Sequence, residues 1–173
     1  MIIGSGNIAK VIDDREGVIF FASGNSNSGC TDENEFEREI SLLYKTIYDF
    51  PSTSCFHLVY FSSLGIYIND NAHFQHKKRV EKIIKTVCRS YTIVRIGVIE
   101  WGKNPTTIHN VFKRKLANNE PIEIQDTYRW LNTLEEFKYW LGKIRVGEKE
   151  EMNITGKLVK VSEILEMVKD GRL

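Results

Sequence analysis

The sequence is poor in cysteine and proline and carries almost no net charge. Cys30, Cys55 and Cys88 stand far apart with no C-x-x-C pair, which argues against a disulfide framework and a zinc site. No metal is expected. Lys and Arg number 24 against 23 Asp and Glu, a formal net charge of +1. That lacks the basic excess of a polyanion-binding surface, so no nucleic-acid partner is expected. No apolar run approaches the ~20 residues that cross a bilayer. The opening MIIGSGNIAK has neither the basic start nor the apolar stretch of a secretion signal. A cytoplasmic protein without membrane contact is the expectation. Three prolines, Pro51, Pro105 and Pro121, punctuate the chain, and no internal repeat is visible.

The 173 residues, 42% apolar and 11% aromatic, suffice for one domain with a proper core. Met1–Ile3 reads as a short strand, Asn7–Ile12 as a brief helix, and Gly17–Ala22 as a strand buried on both faces. Asp32 and Glu35 are spaced for a capping box, followed by Phe36, Ile40, Leu43, Tyr44 and Ile47 at helical intervals. Phe56–Phe61 and Tyr91–Ile99 read as strands, with a helix from about His73 to Arg89 between them. A Thr106–Asn118 helix and a short Ile122–Ile124 strand follow. Thr133 with Glu136 caps a helix carrying Leu134, Phe137, Trp140, Leu141 and Ile144. Residues 147–151 read as a charged, exposed turn, and Ser162 caps a last helix. Strands alternating with amphipathic helices imply a parallel sheet covered on both faces.

Two places carry chemistry. Gly4-Ser5-Gly6-Asn7-Ile8-Ala9 fits G-x-G-x-x-A directly after a strand. In such a turn the first glycine permits the tight bend, the second admits a pyrophosphate, and the small last residue allows close packing. No Asp or Glu stands ~20 residues further on to read a ribose; the next strand ends in FASG. The second place is the helix beginning near His73. Lys78, Lys82, Lys85 and Arg89 form one exposed stripe, whereas Lys77 shares the sheet-facing stripe of Val80, Ile84 and Val87. His73 lies one turn earlier on that face. Ser62 and Ser63 end the preceding buried strand, the end at which α/β sheets place ligands.

At these residues the chain resembles the extended short-chain dehydrogenase/reductase family of nucleotide-sugar epimerases, dehydratases and reductases. Gly4–Ala9 resembles that family's glycine turn, Val18–Gly24 its central strand, and Leu58–Tyr67 its strand-plus-serine segment. Ile93–Gly102, Asn118–Ile124 and Asn153–Ile164 resemble later segments. The resemblance implies a Rossmann-like doubly wound parallel sheet, with about 1–102 as the nucleotide-binding core and about 103–173 as a reduced substrate-binding part. It implies NAD or NADP bound by Gly4, Ser5, Gly6, Asn7, Ile8, Ala22, Ser23, Gly24 and Lys77. It also implies catalysis by Ser63, His73 and Lys77, and substrate contacts from Ser63, Asn25, Arg95 and Arg129. Lys77 falls on the family's lysine, which puts His73 where the family keeps its tyrosine. The implied substrate is a nucleotide sugar, the setting a bacterial surface-polysaccharide pathway, and the assembly a homodimer through helices 32–48 and 73–89. The chain departs from the family in its missing tyrosine, its missing adenosine-binding strands and its short loop before the lysine helix. A binding or interaction protein that keeps the scaffold without the chemistry is therefore the alternative to an NAD(P)-dependent oxidoreductase or sugar epimerase.

Overall fold

The computed structural model describes residues 1–49, 56–124 and 127–173; Pro51 and Cys55 lie outside them. Two sheets organise the chain. The larger has five parallel strands in the order β1 (Ile2–Ile3), β2 (Val18–Phe21), β3 (His57–Ser63), β4 (Tyr91–Ile96) and β7 (Lys149–Ile154). The smaller joins β5 (Val98–Ile99) in parallel to β6 (Tyr128–Asn132), which pairs antiparallel with β8 (Lys157–Lys160).

The central strands β2, β3 and β4 are buried throughout except for half-buried Ser63, as strands covered on both faces must be. On one face, α1 (Glu33–Tyr48) and α2 (Ala72–Val87) pack Ile40, Leu43, Val80 and Ile84 against Ile19, Phe21, Leu58, Tyr60 and Ile93. On the other face, α4 (Leu134–Leu141) brings Phe137 against Val59, Phe61, Val94 and Ile96. The smaller sheet has its own core, in which α3 (Ile108–Ala117) and α5 (Val161–Lys169) pack Phe112, Ile164 and Leu165 on Leu131 and Val159. The architecture is Rossmann-like α/β, doubly wound.

Local differences from the sequence reading have physical causes. The expected Asn7–Ile12 helix is a single 3-10 turn, Ala9–Val11, and residues 12–17 carry the chain back to the start of β2 at Val18. Asp32 caps α1 through the Asn34 amide, while Glu35 binds Arg38 instead of closing a capping box. The long Tyr91–Ile99 strand breaks at Gly97, whose amide donates to Asn132 Oδ1, and β5 leaves for the smaller sheet. Ile122–Ile124 is not a strand; β6 begins at Tyr128. The charged segment expected to be a turn is largely β7, an edge strand that alternates exposed and covered residues. Residues 157–160 form β8, for which no strand was expected, and α5 starts without a side-chain cap from Ser162.

Candidate functional site

The carboxyl ends of β1, β2 and β3 gather most of the expected site residues along one edge. Gly4 has φ +127°, and a Cβ there would lie 2.4 Å from the carbonyl oxygen of Ala22. Only glycine fits both the conformation and the space. Nothing lies within 4 Å of where a Cβ on Gly6 would stand, so that backbone is open to a ligand. Ser5 is exposed, and Asn7, Ile8, Ala22, Ser23 and Gly24 are half-buried along the same edge. Asn7 Oδ1 accepts from the Lys103 amide at 3.3 Å, which ties the turn to the loop after β5. The 3-10 turn that follows is too short to aim an array of free helical amides at a phosphate.

Lys77 is 4% exposed and enters the layer between β3 and α2. Its Nζ donates to Glu39 Oε1 at 3.1 Å, to Glu39 Oε2 at 3.4 Å and to the Tyr60 hydroxyl at 3.1 Å. Glu39, fully buried on the inner face of α1, also accepts from Tyr60 Oη at 2.8 Å, from the Asn25 amide at 2.9 Å and from His76 Nε2 at 3.0 Å. Burial works to raise the Glu39 pKa, but Lys77 and the hydrogen bonds from His76 and Asn25 overcome it and hold the carboxyl well below its ordinary range. Burial, then the Glu39 charge, push the Tyr60 phenol up. A Cβ on Gly24 would stand 2.6 Å from Lys77 Nζ and 2.9 Å from Glu39 Oε1. The bare backbone of Gly24 thus lies directly on the ion pair.

His73 is 3% exposed, its ring edge-to-face with Phe74 at 5.0 Å. Burial first, and then the Lys77 ammonium, push its pKa down to about 4, so the imidazole is neutral near pH 7. It does not face an open cleft, as the implied proton-transfer role would require, and Nδ1 is buried with no hydrogen-bond partner. Among the described residues Ser63 and His73 share no hydrogen bond; Ser63 Oγ accepts from the Gly65 amide at 3.1 Å and caps the 3-10 turn Leu64–Tyr67. The hydroxyl of buried Ser62, one residue earlier, has no partner.

The structure does not bring the expected substrate contacts together. Asn25 lends its amide to Glu39 while its side chain binds Cys30 and the Asn27 amide. Arg95 is locked by Glu81, Glu151 and the Tyr67 hydroxyl, on the α2 face of β4. Arg129 lies on β6 in the smaller sheet, bonded to Thr127 and the Tyr128 carbonyl. Glu39 and Tyr60 escaped the sequence reading. The available signal was Glu39 itself, a carboxylate in helical register with Phe36, Ile40, Leu43 and Thr46, the buried stripe of α1. Cavities of about 340 and 310 Å³ lie elsewhere, at α5 and at the start of α4, and neither gathers reactive groups. Among the described residues no cluster could hold a metal ion and no helix is long and apolar enough to cross a membrane.

No protein-family model matches the chain, and no curated protein matches it. Solved structures do. A UDP-galactose 4-epimerase superposes with a TM-score of 0.70 at 14% identity, over 91% of this chain and 62% of its own. The Bordetella bronchiseptica enzyme WbmG in complex with NAD superposes with a TM-score of 0.69 at 11% identity, over 90% and 56%. A dTDP-glucose 4,6-dehydratase from Bacillus anthracis in complex with NAD gives 0.66 at 15%, over 89% and 56%. These likenesses establish the fold. The chain spans about three fifths of the length of these proteins.

Proposed function

We propose that the protein binds a phosphate-bearing nucleotide, a nucleotide sugar or part of a nicotinamide dinucleotide, across the carboxyl edge of the main sheet, and that it does so without completing an NAD(P)-dependent redox cycle. The observation that carries the binding half is the glycine turn: Gly4 is wedged against Ala22 while Gly6 stands open. Solved neighbours of the same fold hold NAD, UDP and UDP-glucose. A full dinucleotide does not fit the residues present. The edge next to β1 carries no further strand among the described residues to take an adenosine, and Lys77 is bonded to Glu39 and Tyr60.

Isothermal titration with UDP, a UDP-sugar, NADH and NADPH tests the reading. Binding of at least one, lost in Gly6→Val while the melting temperature holds, is the expected result. No binding of any at millimolar concentration overturns it.

A second reading, a sugar epimerase or reductase in which His73 replaces the missing tyrosine, is favoured by the unpartnered His73 Nδ1 and Ser62 Oγ. It requires the layer over α2 to open, and it requires a turnover that His73→Ala abolishes. In either reading the protein is expected to pair as a homodimer through α1 and α2, and the surface-polysaccharide setting rests on the resemblance.

A further inference from the structure

The mismatch between this site and a dinucleotide has one identifiable residue behind it. A lysine ammonium has three donors and a carboxylate about four acceptor positions. The contacts at 3.1–3.4 Å to Glu39 and Tyr60 use the donors of Lys77. Asn25, Tyr60, His76 and Lys77 together fill the acceptors of Glu39. The directions are mutually consistent: the Tyr60 oxygen accepts from Lys77 and gives its own proton to Glu39. Phe36 stacks on His76 at 4.4 Å and closes the cluster from the α1 side. Gly24 roofs it on the ligand side, leaving no room for even a methyl group between backbone and ion pair.

We infer that Glu39 is an internal counter-ion that withholds Lys77 from any ligand at the carboxyl edge, so that recognition of phosphate there falls to the backbone of the glycine turn. The ammonium lies immediately beneath the ligand edge, yet its charge is already neutralised and its donors are spent. A ligand hydroxyl reaching for Lys77 must displace Glu39 or Tyr60, leaving a buried group unpaired. Only its second arm below rests on the proposed nucleotide site.

The first arm starts from the unmodified protein without ligand. Reductive methylation of the full chain with formaldehyde and cyanoborohydride, followed lysine by lysine by mass spectrometry, should modify Lys77 at least tenfold more slowly than exposed Lys82. Added NADH or UDP should leave the Lys77 rate unchanged. In Glu39→Gln Lys77 loses the carboxylate that holds it at 3.1–3.4 Å, and its methylation should rise at least tenfold. The second arm is affinity: Glu39→Gln should bind NADH at least tenfold more tightly, a gain that a purely structural ion pair would not produce. Lys77 reacting within threefold of Lys82 in the unmodified protein, or being slowed further by nucleotide, overturns the inference. So does a folded Glu39→Gln whose Lys77 stays as slow as in the parent. Protected Lys77 with no nucleotide bound by either protein overturns the glycine-turn reading and supports the counter-ion. If Glu39→Gln does not fold, the comparison within the unmodified protein decides.

Discussion

Gly4 and Gly6 stand two positions apart and answer to different constraints. Gly4→Ala would need a left-handed backbone and would drive its methyl into the Ala22 carbonyl. A cost of about 1–3 kcal/mol or more is expected, read as a lower urea midpoint. A Cβ on Gly6 meets nothing within 4 Å, so Gly6→Val should change the melting temperature little. The histidines set the acid limit. Burial is the leading cause of the lowered pKa of His57, His73 and His109. Unfolded histidines take up protons below pH ~6.5, whereas folded His73 does so only near 4. Between those values the unfolded chain binds more protons, so stability is complete above about pH 6.5 and is lost as pH falls towards 4. Urea unfolding at pH 7.5 and pH 5.0 should show the lower midpoint at pH 5.0, and His73→Gln should lessen the difference.

Elements are fastened by buried polar residues as much as by apolar stripes. Arg95 of β4 joins α2 through Glu81 and β7 through Glu151, while Lys85 of α2 holds the other oxygen of Glu151 at 2.7 Å. These contacts anchor an edge strand of half-charged sequence, KEEMNI, to a sheet whose central strands are mostly apolar. Arg95→Met should cost about 3–5 kcal/mol, because it strands buried Glu81; thermal unfolding measures it. Fully buried Asn132 accepts from Gly97 N at 2.8 Å and donates to Ile154 O at 2.9 Å, stitching the two sheets together. Asn132→Ala leaves both backbone groups unpaired and should cost about 1–3 kcal/mol. Apolar periodicity marked α1 and α2 by their buried stripes and the central strands by their nearly continuous burial. It missed β7 because Glu151, whose partners Lys85 and Arg95 lie on α2 and β4, looks in one dimension like a solvent-facing residue.

At the level of the whole molecule, β1 forms one edge of the main sheet, and a 3-10 turn alone separates it from β2. The proteins that share this fold are longer by roughly two fifths of their own length. The expected homodimer through α1 and α2 should give twice the 20.0 kDa chain mass by light scattering at tens of micromolar; a single-chain mass refutes it.

The Rossmann-like class, the glycine turn and the inward register of Lys77 are written in spacings of two and of three to four residues. Backbone geometry converts such spacings into faces without any knowledge of partners. What the inward lysine meets depends on contacts between residues 17 to 38 positions apart. Glu39 and Lys77 carry opposite charges on helices that touch only once the sheet has formed, and burial turns that contact into a closed ion pair.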